Sequence, residues 1–252
     1  MAGIAGHDVQ IQYLSFDRGT VRVRLDDVDA DAVIHGLPVR KPPTYKGQRN
    51  YPGLFWSATT GSFLIYESLL ELDYLWLADF DTQVDWMATQ PFELSGHFGG
   101  RDHRHVPDVM LRSKRGRIRI IDVKPQSRLE DPETVAVFGW TGDVCARRGW
   151  DYEVWSGASE TVLRNIKLLA CGRLSMQLDR RTAQQVIEAC PDRLAFGAVV
   201  KVACTSQVGE LDVRPVILHL LWRGILTVDM ESPITDGSLL SFNEGALSEL
   251  NL

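Results

Sequence analysis

The sequence predicts an α/β domain followed by a small, mainly helical one. Two observations carry the first part. HVPDVMLR, SKRG and RIRIIDVK read as strand, turn and strand. A helix-length segment (131–148) and a further strand, WDYEVWS, then complete the alternation of an α/β core. One observation carries the second part: from Glu160 the apolar spacing becomes helical in successive segments, ending in a single strand after Gly224.

Taken in order, VQIQYLSF and TVRVRL alternate as two short strands. GLPVRKPPTYKGQRNYPG is proline-rich and basic, with Arg40, Lys41, Lys46 and Arg49 interleaved with Tyr45 and Tyr51. That composition suits an arm along DNA or a linker covering the core. Thr59, Thr60 or Ser62 is predicted to cap a helix carrying Phe63, Tyr66, Leu70, Tyr74 and Leu77 and ending near Asp79. VDWMATQPFELSG reads as a strand broken by Pro91 and ended by Gly96. Beyond the α/β segment, ETVLRNIKLLACGRL, DRRTAQQVIEACP, a segment near 194–203 and ELDVRPVILHLLW read as helices. Helices closed by a strand suggest a winged-helix-like domain. The predicted divisions are 1–50 for strands and arm, 51–157 for the α/β core, 158–235 for the helical domain and 236–252 for a loosely ordered tail.

The 252 residues are 44% hydrophobic and 24% charged, the balance of an ordinary soluble protein. The N-terminus lacks the pattern of a signal peptide and no apolar run is long enough to span a membrane. Cys145, Cys171, Cys190 and Cys204 are scattered without metal or disulfide spacing, so a reducing cytoplasm is the expected compartment. Net charge is −6, but residues 101–128 carry nine basic against three acidic residues, a local +6. Arg104, Lys114, Arg115 and Arg117 in this stretch are candidate phosphate contacts, as are Arg40, Lys41 and Lys46 upstream.

Charge inside the apolar hairpin points to chemistry. Side chains two apart on a strand share a face, so Asp122 and Lys124 are neighbours, with Val123 turned to the core. Asp108 on the preceding strand lies beside them in the right register. Such carboxylates, with the Val123 carbonyl, would form a hard-oxygen site for Mg²⁺, for which Mn²⁺ could substitute. Lys124 would hold or activate a water there. Glu67, Glu71 and Asp73 are the candidates for a further acid upstream, with Glu67 favoured by its apolar neighbours Tyr66, Leu69 and Leu70. His97, His103 and His105 lack a completing third ligand type, and phosphate contact or surface placement is expected of them.

Pro107-Asp108, a hairpin and Asp122-Val123-Lys124 resemble the PD-(D/E)XK nuclease superfamily, whose core is restriction-endonuclease-like. Ser62, Glu67, Gln90-Pro91, Pro107-Asp108 and Val123-Lys124-Pro125 occur in the order of the TnsA endonucleases of heteromeric cut-and-paste transposases. The resemblance covers roughly residues 45–240 and includes RNIKLL and VILHLLWRGILTVDMESPI in the second domain. It implies that Glu67, Asp108 and Lys124 are catalytic, whereas a ligand role for Asp122 rests on strand geometry. It also implies hydrolysis of one DNA strand at transposon ends. The partners would be a DDE transposase of TnsB type and an AAA+ regulator of TnsC type, with the second domain contacting either of them or DNA. A stand-alone nuclease and a non-catalytic DNA-binding assembly subunit are the alternatives.

Overall fold

A computed structural model describes residues 9–40, 51–174, 179–190 and 193–249. The chain divides into two compact units at Gly157/Ala158. Both are mixtures of helix and strand, with thirteen strands and seven α-helices among the described residues.

The first unit begins with β1 (Gln10–Ser15) and β2 (Gly19–Arg24), then α1 (Ala30–Ile34). A hairpin of β3 (Gly53–Ser57) and β4 (Ser62–Tyr66) leads into α2 (Leu69–Phe80). β5 (Val84–Thr89), β6 (Glu93–Phe98), β7 (Arg101–His105), β8 (Val109–Ser113) and β9 (Ile118–Val123) follow. α3 (Pro132–Arg148) and β10 (Asp151–Trp155) close the unit.

The central sheet has the order β10-β9-β8-β5. β9 pairs parallel with β10 across the α3 crossover, and antiparallel with β8. β9 is buried on both faces, which explains its near-continuous apolar run. Ile118 and Ile120 pack with Trp140, Val144 and Cys145 of α3. Ile121 and Val123 pack with Tyr74, Leu75 and Ala78 of α2. A second sheet, β2-β1-β6-β7, places Ile11, Tyr13 and Leu94 in the α3-side core. The N-terminal strands therefore belong to this unit rather than to a segment ending at residue 50, because β1 pairs with β6.

The predicted helix start is corrected. Phe63 to Tyr66 form β4, and Gly61 at φ 62° makes the turn before it. Trp56 and Phe63 meet edge to face at 5.1 Å across the hairpin. The helix starts instead at Ser68, whose hydroxyl accepts the Glu71 N–H at 3.2 Å. The Glu71 carboxylate in turn accepts from the Ser68 hydroxyl and from the Glu67 N–H. The far end of α2 is tied to the hairpin by buried Asp79. Its carboxylate accepts from Ser57 Oγ at 2.8 Å and from the Ala58 and Thr59 N–H groups at 3.1 and 2.9 Å. Two further boundaries differ from expectation. β6 runs through Gly96 to Phe98, and β7 joins the second sheet instead of extending β8.

The second unit contains α4 (Glu160–Leu169), α5 (Arg180–Glu188), β11 (Leu194–Ala195), α6 (Phe196–Ala203) and α7 (Glu210–Trp222). β12 (Leu226–Thr227) and β13 (Leu239–Phe242) complete it. The expected loose tail is overturned up to the last described residues. β13 is the middle strand of β11-β13-β12, and Leu240 is fully buried. Buried Asn165 holds the approach to it, donating to the Met230 and Ser232 carbonyls and accepting the Ile234 N–H. Trp222 at the end of α7 is buried in the core of this unit.

Candidate functional site

The acids of the first unit gather where β8 begins and β9 ends. A line of backbone hydrogen bonds crosses there. Val39 N–H donates to Gln90, Gln90 N–H to Asp108, and Asp108 N–H to Ile121, at 2.9, 2.9 and 3.1 Å. This line sets Arg40, Gln90, Asp108 and Asp122 at one level of the sheet. Asp108 Oδ2 accepts the Val123 N–H at 2.8 Å, so hairpin register does bring the PD and DVK segments together.

Asp108 is in an electrically crowded place. Burial pushes its carboxyl well above the usual range, and the charges of Glu71 and Asp122 push it further. The Val123 N–H and the Arg40 guanidinium oppose that shift without cancelling it. Glu71 is also raised, first by its own burial.

Glu67 is not a helical residue but lies between β4 and the Ser68 cap. Its carboxylate accepts two hydrogen bonds from Arg40, from Nε at 2.8 Å and from Nη2 at 3.1 Å. The same Nη2 lies 3.9 Å from Asp108 Oδ1. Glu71, one turn into the fold, is the more buried acid and the one whose charge weighs on Asp108. Arg40 thus faces the acids through its guanidinium.

Asp122, the predicted cation ligand, is engaged by side chains of its own unit. It is 1% exposed, and both carboxylate oxygens lie within 2.9 Å of His105 Nε2. The Tyr152 hydroxyl donates to Oδ2 at 2.5 Å. The cause is strand parity: Asp122 shares the face of Ile118 and Ile120, which α3 covers. Burial and the Asp122 charge push the Cys145 thiol up to about 12 and raise the Tyr152 hydroxyl as well. His105 is therefore a partner of Asp122 and not a surface histidine. Nothing in spacing alone showed this, because β7 and β9 lie in different sheets. Lys124 shares the Asp122 side, its Nζ 5.9 Å from the Phe138 ring centroid on α3. Gln126 accepts from Ser156 Oγ at 3.0 Å.

Gln90, part of the Gln90-Pro91 motif, is exceptional in its backbone and its side chain. It has φ 44°, the only positive value of a non-glycine among the described residues. Its fully buried carboxamide has no hydrogen-bond partner among them. A strained backbone and an unsatisfied amide beside Asp108 are features that collect at functional sites.

The basic hairpin turn stands apart. Lys114, Arg115 and Arg117 are exposed at the end of the β8–β9 hairpin opposite Asp108. Five strand residues at ~3.3 Å each separate the turn from that carboxylate by roughly 17 Å. Ion pairs also neutralise part of the basic stretch: Arg112 with Asp31 and Asp85, Arg117 with Asp151, Arg119 with Glu153. Arg104 is exposed on β7, opposite Ser95. Lys41 and Lys46 lie outside the described residues.

Among the described residues, no three or more His, Cys, Asp or Glu side chains are arranged as a metal group. Donor chemistry and charge nevertheless fit a hard divalent cation. Asp108, Glu71 and Asp122 are all carboxylates, and their mutual repulsion at Asp108 is what a cation would relieve. No helix among the described residues is long and apolar enough to cross a membrane. Comparison with protein-family models and with curated proteins finds no match to the chain.

Proposed function

We propose that the chain is a metal-dependent DNA endonuclease of the TnsA-like type, with a PD-(D/E)XK core in its first unit. The observation that carries this reading is the bond from the Val123 N–H to Asp108, which joins the two motif segments beside a raised, buried carboxyl. The order α2, β5, β8, β9, α3, β10 around one mixed sheet supports the same core. Mg²⁺ or Mn²⁺ would be held by Asp108, with Glu71 or Glu67 and the Val123 carbonyl as the further oxygens. When bound, the cation would polarise the phosphate and lower the pKa of the attacking water.

The chain's own residues divide the remaining work. Lys124 supplies positive charge on the Asp122 side for the developing phosphorane, and Arg104 and the hairpin turn offer contacts to the phosphate backbone. Asp122 positions His105 and Tyr152. The substrate is a transposon end, one strand of which is hydrolysed. The partners are a TnsB-like DDE transposase and a TnsC-like AAA+ regulator, in the cytoplasm. The test is strand-specific nicking of transposon-end DNA by the full chain with its partner transposase and Mg²⁺. Asp108→Ala is expected to lower the rate about 10²-fold or more; equal rates would overturn the assignment.

One observation favours a second reading, a DNA-binding assembly subunit in which the nuclease core serves as scaffold. Asp122 and Glu67 are both engaged by protein partners. Failure to bind Mn²⁺ in calorimetry, with DNA present, would select that reading.

A further inference from the structure

We propose that Arg40 is a built-in occupant of the cation position, and that its guanidinium must leave Glu67 before the acids take up a divalent metal. This inference rests on the nuclease reading of the same site. The guanidinium forks onto Glu67 through Nε and Nη2, and that Nη2 also approaches Asp108. One positive group therefore bridges two of the carboxylates the sequence singles out.

The contact keeps Glu67 from joining a three-acid metal group, none of which is assembled among the described residues. Glu67 is turned to Arg40, while Glu71 is occupied by the Glu67 N–H and the Ser68 hydroxyl. The Arg40 side chain is about half exposed, so it can leave for solvent or a phosphate without unpacking the core. The backbone beside it is anchored, since Val39 N–H donates to Gln90. The device is thus a side-chain switch on a fixed stem, closed in the free protein and opened by DNA phosphate. Its consequence is weak metal binding by the protein alone and stronger binding once Arg40 is drawn away.

The experiment is calorimetric titration of Mn²⁺ into the full chain without DNA, comparing wild type, Arg40→Gln, Arg40→Lys and Asp108→Asn. Arg40→Gln is expected to bind Mn²⁺ about tenfold more tightly than wild type, because it removes a positive charge within ~4 Å of a ligand. Arg40→Lys, which keeps the charge but loses the fork, is expected to lie between them and serves if Arg40→Gln does not fold. Adding Asp108→Asn to Arg40→Gln is expected to abolish the gain. Unchanged or weaker binding in both Arg40 variants, with binding still lost in Asp108→Asn, overturns the role of Arg40 and leaves the metal site standing. No binding by any variant overturns both.

Discussion

The Tyr152 hydroxyl donates to Asp122 at 2.5 Å across the parallel β9–β10 pair. Tyr152 stands opposite Ile120, so its ring reaches diagonally along one sheet face to the carboxylate two residues on. His105 closes the other side at 2.8 Å. A carboxylate this deep persists only because both oxygens are partnered.

Removing either partner should therefore destabilise the first unit unequally. Tyr152→Phe deletes one hydrogen bond to a charged group and is expected to cost about 1.5–3 kcal/mol. His105→Ala also removes the only imidazole on the carboxylate and is expected to cost about 3–5 kcal/mol. Urea unfolding followed by tryptophan fluorescence measures both. The double variant should cost less than the sum, since the two share one acceptor.

Asp108 should behave as a carboxylate kept for function at the expense of stability. Its folded pKa is raised above 3.8, so the folded chain binds its proton more tightly than the unfolded chain does. That contribution is fully present below about pH 3.8 and is lost as pH rises through the folded value. Asp108→Asn should accordingly raise Tm at pH 8, by about 2–4 °C for each kcal/mol relieved. The gain should shrink as pH falls toward 4. Thermal unfolding at the two pH values checks the sign, and a lower Tm at pH 8 would refute it.

Asp79 is predicted to be a fold residue. It satisfies a serine hydroxyl and two backbone N–H groups that hold the β3–β4 turn on α2. Asp79→Ala leaves these donors unmet and should cost about 3 kcal/mol. Asp79→Asn, which keeps the acceptor oxygen, should recover part of that loss in the same urea titration.

In the second unit Gly172 is required by close approach. A Cβ there would meet the His219 backbone nitrogen at 2.4 Å. Gly172→Ala should push α7 away, costing about 1–3 kcal/mol. It should also disturb the 2.7 Å bond that the His219 Nδ1–H donates to the Gly172 carbonyl. The His219 pKa is lowered, chiefly by burial, so its neutral form supports the fold above about pH 6.5 and that support is lost as pH falls through the folded value. Proton NMR of the His219 ring should show the pKa rising as burial is relieved, less than fully because the weakened bond to Gly172 acts in the opposite direction.

Local pattern was most legible where one element decides its own neighbours. The β8–β9 hairpin, α3, β10 and the helices of the second unit follow from period, turn residues and length. It failed at Phe63–Tyr66, where FLIY suits a strand or one face of a helix equally well. Ser68 at the cap and Glu71 in the first helical turn mark the observed start, but that capping pair competes with Thr59, Thr60 and Ser62 in the sequence. β13 escaped because four apolar-to-polar residues near a polar tail acquire strand identity only from the partners β11 and β12.

By itself, the sequence determined the β8–β9 hairpin, flanked by Asp108 just before β8 and Lys124 just after β9, and that Asp122 on β9 turns to the face of Ile118 and Ile120. Strand geometry makes that unavoidable, because side chains alternate with period two. Tertiary structure decided everything that depends on which layer covers that face. α3 and β7 bring Phe138 and His105 over it, Asp122 is closed off with Tyr152, and Arg40 rather than solvent meets Glu67 and Asp108. These contacts join residues 17 to 68 positions apart in unit-wide packing, and a carboxylate's partner is set by what burial brings beside it, which no local period encodes.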